Sequence, residues 1–120
     1  MIRDFTYVDD IVESIVRLII KPAKSNIEWT GNPPNIPTSS APYQIFNIGN
    51  SAPVELMHYI NALEKSFGIK AKKNMMDIQP GDVPATHADT NLLENYINFR
   101  PTTSVEEGVD KFAQWHKQSF

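Results

Sequence analysis

A buried strand that leads through a turn into a helix is the feature that most limits the fold of this 120-residue chain. Residues 43–48 form a nearly continuous apolar run that ends at Gly49, a pattern typical of a strand covered on both faces in a parallel sheet. Apolar residues then recur at helical spacing until Gly68, with Ser51 as the expected N-cap. Because alternating strands and helices build α/β proteins, we predict an α/β fold.

The first forty residues are predicted to hold a short strand, a helix and a long loop. Residues 2–8 alternate as a strand does, and Asp9 or Asp10 is expected to cap the helix that follows. The apolar stripe of this helix lies within residues 11–20. Five prolines lie in residues 22–42, so we expect a long surface loop there.

The last fifty residues are predicted to add one extended segment and two helices. Residues 69–78 are the extended candidate, with their lysines on a solvated strand face. Asp89 or Thr90 is expected to cap a short helix, and Thr103 and Ser104 are alternative starts of a capping box for the last helix. The prediction is therefore a small mixed sheet with about four helices.

Composition excludes several classes of function. The chain has no cysteine, which excludes a disulfide scaffold and a cysteine-ligated zinc site, and its three histidines are too far apart in sequence to suggest a metal site. A net charge of -3 without a basic run argues against binding to nucleic acid. The longest apolar stretch, residues 11–20, is too short and too charged to span a membrane, and the start of the chain lacks the pattern of a secretory leader. We expect a cytoplasmic location.

Arg3 and three aspartates are the candidate functional residues on chemical grounds. Asp9 and Asp10 are adequately explained as residues that stabilise a helix N-terminus, and Arg3 is equally compatible with a surface ion pair. Asp82 follows a Pro-Gly turn that directs its carboxylate outward, although aspartates are common in turns because they bond their own backbone. Residue chemistry alone leaves these alternatives open.

Two runs of residues, 3–13 and 79–90, resemble the C-terminal part of NAD-dependent nucleotide-sugar epimerases of the extended short-chain dehydrogenase/reductase family. They are similar in particular to UDP-glucuronate 4-epimerases, and the similarity continues through residues 46–50 and 101–109. The resemblance implies that residues 1–120 are a single, fragment-like domain. It would comprise the C-terminal substrate-binding lobe and one late Rossmann strand-helix unit, without the N-terminal NAD-binding part.

The resemblance also implies a set of contacts to a UDP-sugar. Arg3 would meet the diphosphate, where a guanidinium makes charge-assisted hydrogen bonds to phosphate oxygens. Asp82 would accept hydrogen bonds from the ribose hydroxyls. Gln79 stands near the phosphates, where many relatives of the wider family carry an arginine, and Thr86 would face the sugar.

The catalytic equipment of such epimerases is missing from the sequence. The five glycines are isolated, and no Tyr-x-x-x-Lys pair occurs, so we expect no catalytic residue and no bound cofactor in this chain, whereas NAD is expected in full-length relatives. The implied activity of the whole relative is interconversion of UDP-glucuronate and UDP-galacturonate. The alternatives are a non-enzymatic UDP-sugar-binding remnant and a fragment of a sugar-nucleotide dehydratase. We further expect weak UDP-sugar binding and self-association, as a homodimer, through the exposed Rossmann-facing surface of residues 43–68 and the apolar helix in residues 11–20.

Overall fold

Four helices and a two-stranded sheet make up the computed structural model, which describes residues 1–32 and 35–120. The α/β class and the number of helices are confirmed. Pro33 and Pro34, two of the prolines in the predicted loop, lie outside the described residues. The elements in chain order are β1 (Ile2–Arg3), α1 (Val8–Ile19), β2 (Val54–Glu55), α2 (Leu56–Phe67), α3 (Asn91–Ile97) and α4 (Val105–Ser119).

The short strand β1 lies between two segments that come from distant parts of the chain. It pairs antiparallel with β2, so that Ile2 faces Glu55. On its other edge, Ile2 forms a parallel bridge to Ala85, with its amide donating to the carbonyl of Pro84 at 2.9 Å. The three segments therefore run in mixed directions, as predicted, but over far fewer residues than a full sheet.

Two predicted extended segments are not strands. Residues 43–48 contribute only an isolated bridge between Gln44 and Thr38, and residues 69–78 contain no strand at all. A strand buried on both faces needs neighbours along both edges, whereas the described part of the chain pairs residues 43–48 only with residues 37–38, through this bridge and a hydrogen bond from the amide of Ile45 to the carbonyl of Pro37 at 3.0 Å. The predicted strand over residues 2–8 is also cut short: β1 ends at Arg3, residues 4–7 have no regular secondary structure, and α1 begins at Val8.

The core lies between α2 and α4. Ala62 of α2 is buried against Val105 and Val109 of α4, and the ring of Phe5 stacks on that of Tyr59 with centroids 4.2 Å apart. These contacts follow from the amphipathic pattern of both helices, whose apolar faces meet. The strand segment that carries the candidate site is thus fixed to a packed pair of helices.

The helix ends agree with the sequence at three positions, one of which is Thr90, the N-cap of α3. Ser104 is the N-cap of α4, and its hydroxyl accepts a hydrogen bond from the amide of Glu107 at 3.1 Å. Gly68 ends α2 in the left-handed conformation, with φ of 73°. The sequence therefore located the end of α2, and the start of α4 to within its two alternatives, from glycine and serine chemistry.

At the starts of α1 and α2 the predicted caps are wrong. The N-cap of α1 is Tyr7, and Asp9 and Asp10 lie inside the first turn, where their charges still favour the helix dipole. The N-cap of α2 is Glu55 rather than Ser51. The reason is that residues 51–55 are used otherwise, in a turn with positive φ at Ser51 and in β2.

Helix α1 turns its apolar face away from the rest of the chain. Its only buried residue is Ser14, whose hydroxyl donates to the carbonyl of Asp10 at 2.8 Å. The side that meets the segment after α3 is polar, with the guanidinium of Arg17 lying 4.7 Å from the ring centre of Phe99. Of the predicted apolar stripe, Ile11 is half-buried, whereas four residues are 46% to 71% exposed: Val12, Ile15, Val16 and Ile19. Val8, at the start of the helix, is also 61% exposed.

The shape of the molecule agrees with this small core. Its radius of gyration is 18.4 Å, whereas a globular chain of this length is expected near about 14 Å. Each helix within the described residues is too short or too polar to reach across a lipid bilayer. Much of the apolar surface therefore stays exposed on an elongated molecule.

Candidate functional site

Arg3 and Asp82 are brought together although 78 residues separate them in sequence. Pairing of β1 with residues on both edges fixes the backbone of Arg3. Its Nη1 donates to the carbonyls of Ile2 at 2.9 Å and Val83 at 2.8 Å, and its Nη2 lies 3.9 Å from Oδ1 of Asp82. The two residues to which the resemblance assigns the diphosphate and the ribose are therefore neighbours.

A tight turn sets the position of Asp82. The amide of Asp82 donates to the carbonyl of Gln79 at 3.1 Å, with Pro80 and Gly81 in the two central positions. Gly81 has φ of 96°, which is the conformation that the second central position of a type II turn requires. The side-chain amide of Gln79 donates to the carbonyl of Asp77 at 2.9 Å, so it stabilises the approach to the turn.

Thr86 lies along the edge of β1, next to Ala85. Its amide donates to the carbonyl of Ile2 at 3.2 Å, and its hydroxyl accepts a hydrogen bond from the amide of Asp4 at 3.4 Å. The hydroxyl thus stays exposed while one of its acceptor positions is used by the backbone. All four predicted site residues border the same short strand or the turn beside it.

The charges at this site leave donors for an anion. The described hydrogen bonds of Arg3 use Nη1 alone, so Nε and Nη2 remain to face a ligand. The carboxylate of Asp82 is about half exposed, with a relative accessibility of 47%, and its contact with Arg3 at 3.9 Å is a loose one. A loose, partly exposed ion pair contributes little stability and separates readily when a stronger anion arrives.

Asp4 is a supporting residue that the sequence reasoning did not single out. Its carboxylate accepts the amides of Ser51 at 3.1 Å and Ala52 at 3.3 Å, which ties the turn before α2 to the segment after β1. Gly49 passes so close that a Cβ there would lie 2.8 Å from the Cβ of Ala88. A carboxylate within an otherwise apolar and aromatic strand pattern was the signal available for Asp4.

Glu64 of α2 holds the start of the segment after Gly68. Its side chain is only 4% exposed and accepts hydrogen bonds from Nζ of Lys70 at 2.7 Å, from Nζ of Lys73 and from the amide of Ala71 at 3.0 Å. Hydrogen bonds from the two lysines, together with that from the amide, lower the pKa of Glu64 to about 2. The predicted strand is wrong for this segment, but the predicted exposure is not: Lys70 and Lys73 are exposed while their amines pair with this carboxylate.

The described residues offer no place for a metal or a dinucleotide. Within residues 1–32 and 35–120, no group of three or more acidic or histidine side chains could hold a metal ion. A pyrophosphate would need a glycine-rich turn between a strand and a helix N-terminus. Here α1 starts after Tyr7, and α2 starts directly after Glu55, whose carboxylate would repel the phosphates. The chain therefore does not fit NAD.

Comparison with known proteins gives a consistent relationship over the full chain, although no protein-family model matches it. The chain is 51% identical over 120 residues to Protein CapI of Staphylococcus aureus and 44% identical over 121 residues to a probable UDP-glucuronate 4-epimerase of Rhizobium meliloti. Each match covers 100% of this chain and 36% of the relative. The chain thus spans about a third of the length of the curated relatives that it matches.

A solved structure shows the same relationship. The UDP-glucuronic acid 4-epimerase of Bacillus cereus, in complex with UDP-glucuronic acid and NAD, is 26% identical with a TM-score of 0.73. The match covers 99% of this chain and 33% of that one. The predicted resemblance of this chain to the C-terminal part of NAD-dependent nucleotide-sugar epimerases, and to UDP-glucuronate 4-epimerases in particular, is therefore confirmed.

Proposed function

We propose that this chain is the nucleotide-sugar-binding portion of a UDP-sugar 4-epimerase that interconverts UDP-glucuronate and UDP-galacturonate. The observation that carries the proposal is the approach of Arg3 to Asp82 at 3.9 Å, at the two positions where the resemblance expects the diphosphate and the ribose. Residues 1–120 would form one domain, the substrate-binding lobe. No observation on the described residues favours the dehydratase fragment or the non-enzymatic remnant.

In the proposed complex, the UDP diphosphate replaces Asp82 as the partner of the Arg3 guanidinium. Phosphate oxygens carry more charge than a half-exposed carboxylate and match the planar donors of arginine. Asp82 then turns to accept hydrogen bonds from the ribose hydroxyls. Gln79 supplies a neutral amide near the phosphates, and the small side chain of Thr86 leaves room for the sugar.

The hydride chemistry belongs, in this proposal, to a part of the relatives outside the match. NAD supplies the transient oxidation at the sugar carbon, and a base must take the hydroxyl proton. This chain has neither the Tyr-x-x-x-Lys pair nor a fit for NAD, so its role is to bind and orient the nucleotide. By itself the purified chain is proposed neither to bind NAD nor to epimerise UDP-sugars.

We propose in addition that the isolated chain forms a homodimer through the exposed apolar face of α1. That face consists of five aliphatic side chains in one stripe, and a two-fold contact would bury it on both copies at once. A cytoplasmic location, where nucleotide sugars serve as precursors, stays part of the proposal.

Titration of UDP into the ¹⁵N-labelled chain at low and high salt tests the proposed site. We expect weak binding with amide shifts clustered around Arg3, Gln79 and Asp82. Arg3→Gln should abolish the part of the affinity that depends on salt, because the guanidinium contact is ionic. Asp82→Asn should weaken binding with little change in its dependence on salt.

Arg17→Gln is the matched control for the charge change. Arg17 also pairs with a carboxylate, that of Glu13 at 2.6 Å, but it lies on α1 and outside the proposed site. Its removal should leave UDP binding as in the wild type. Shifts that cluster elsewhere, or that persist unchanged in Arg3→Gln and Asp82→Asn, would show that the proposed site does not exist.

A further inference from the structure

A large apolar cavity separates α2 from the segment that follows it. Its volume is about 970 Å³, and it is open along one side. Ile60, Leu63 and Phe67 of α2 form one wall, and Met75 and Met76 contribute to the other. Both methionines are at least 70% exposed, so the cavity is a surface that the chain itself leaves uncovered.

The outer wall of the cavity is a segment without regular secondary structure. Among the described residues, no backbone-to-backbone hydrogen bond involves residues 72–78. The segment is nevertheless held at both ends, by the bonds of Glu64 to Lys70 and Ala71 and by the turn that begins at Gln79. A segment fixed at its ends, in which the carbonyl of Asp77 accepts from the side chain of Gln79 but no residue of 72–78 forms a described backbone-to-backbone hydrogen bond, offers backbone donors and acceptors to another strand.

We propose that the cavity takes an extended apolar peptide, which pairs with residues 72–78 as an added strand and packs its side chains on α2. Seven residues of strand span about 23 Å, so a peptide of similar length would use the whole edge. The lining is mainly apolar, and its rim carries Lys72 and Lys73 as well as Asp77 and Asp82, so the occupant needs alternating apolar residues and no net charge. This inference does not depend on the proposed UDP site.

The position of Met1 indicates which peptide to test. Met1 borders the cavity, and its carbonyl accepts a hydrogen bond from the amide of Leu56 at 3.0 Å. In the relatives, about two thirds of the polypeptide lies outside the matched region. The stretch that leads directly into that region would arrive at this cavity, and we assign it as the occupant.

The experiment uses a synthetic peptide with the sequence that immediately precedes the matched region in the Rhizobium meliloti relative. It is titrated into the full ¹⁵N-labelled chain, and hydrogen exchange of the backbone amides is followed. We expect saturable shifts at residues 72–78 and on the facing side of α2, with slower exchange at residues 72–78. A copy of the peptide N-methylated at alternate residues should lose this protection, because it cannot complete the strand pairing.

Two variants complete the test. Met76→Glu places a charge in the cavity at a residue that is 70% exposed, so the fold should persist while peptide affinity falls at least about tenfold. Ile27→Glu is the control, since Ile27 is 94% exposed and does not line the cavity. Three results would overturn the proposal: no shifts at millimolar peptide, equal binding of the methylated peptide, or protection of residues 72–78 that rises with chain concentration alone, which would make a second copy the occupant.

Discussion

Helices α1 and α4 are both amphipathic, but only α4 buries much of its apolar face against the rest of the chain. In α4, Val109 is 4% exposed and packs on α2, as the pattern predicts. In α1, Val16 is 51% exposed, and the residue that the chain buries is Ser14. The spacing of apolar residues therefore predicts that a helix face packs against a partner, but it does not show that this partner belongs to the same chain.

The largest expected difference between the two helices is in stability. Val109→Asp places an unpaired charge in the core and should lower the free energy of unfolding by at least about 3 kcal/mol. Val16→Asp is the matched change on α1 and should cost less than about 1 kcal/mol, because the side chain stays in water. Urea unfolding followed by circular dichroism at low protein concentration measures both. Equal losses would mean that α1 is as well packed as α4.

The second expected difference between α1 and α4 concerns self-association, which we propose for the apolar face of α1. Replacement of Val12 and Val16 together by aspartate should weaken the proposed dimer at least about tenfold, or about 1.4 kcal/mol, because it puts charges at the centre of the apolar face. Sedimentation velocity over a range of concentrations gives the association constant. Ile27→Asp, which changes an exposed isoleucine outside α1, should leave it unaltered. A wild-type chain that stays monomeric at every concentration would refute the dimer.

The capping of α4 is expected to have a smaller effect. Ser104→Ala removes the hydroxyl that accepts from the amide of Glu107 and should cost about 1 kcal/mol of stability. Ser119→Ala, at the last residue of the same helix, is the control and should be nearly neutral. Thermal unfolding distinguishes the two. If both variants match the wild type, the cap does not contribute to holding α4 on α2.

The smallest effect on global stability is expected at Glu64, whose contacts fix only the segment after α2. Its pKa falls from the ordinary 4.5 to about 2 on folding, so its stabilising contribution is present in full above pH 4.5 and is lost as the pH falls through about 2. The protection factor of the Ala71 amide, which donates to this carboxylate at 3.0 Å, should fall over that pH window.

Glu64→Gln should lower the protection factor of the Ala71 amide already at neutral pH. Glu107→Gln, which breaks an exposed pair with Lys111 at 2.8 Å, is the control and should not affect residues 69–79. Exchange in that segment that ignores both pH and Glu64→Gln would mean that something other than this carboxylate holds it.

The sequence predicted those features of the fold that depend on a few neighbouring residues. The serine cap of α4 and the left-handed glycine after α2 depend on one or two residues each, and both were found from the sequence. The approach of Arg3 to Asp82 was expected from the resemblance alone, since no spacing rule connects residues so far apart. Four helices in an α/β chain followed from apolar periodicity and strand-turn-helix order.

The remaining features depend on contacts that a pattern does not specify. The apolar run in residues 43–48 indicates burial in a sheet, but a strand forms only beside a partner, and among the described residues only residues 37–38 pair with this run, over a single bridge. Glu64 is a charged residue that is buried on α2. Its partners, Lys70 and Lys73, come after Gly68, the glycine that ends this helix. Which way the chain turns after Gly68 decides that pairing, and the sequence does not encode that direction locally.

Gly81 shows how a residue without side-chain contacts can set the geometry of the proposed UDP site. A Cβ at this position would meet nothing within 4 Å, so no steric conflict reserves the place for glycine. Its φ of 96° does, because other residues rarely adopt it. A side chain introduced there would strain the turn or rotate the next carboxylate away from its guanidinium partner. A mutational scan limited to side chains that contact a ligand would therefore omit Gly81, although its backbone angle determines the position of Asp82.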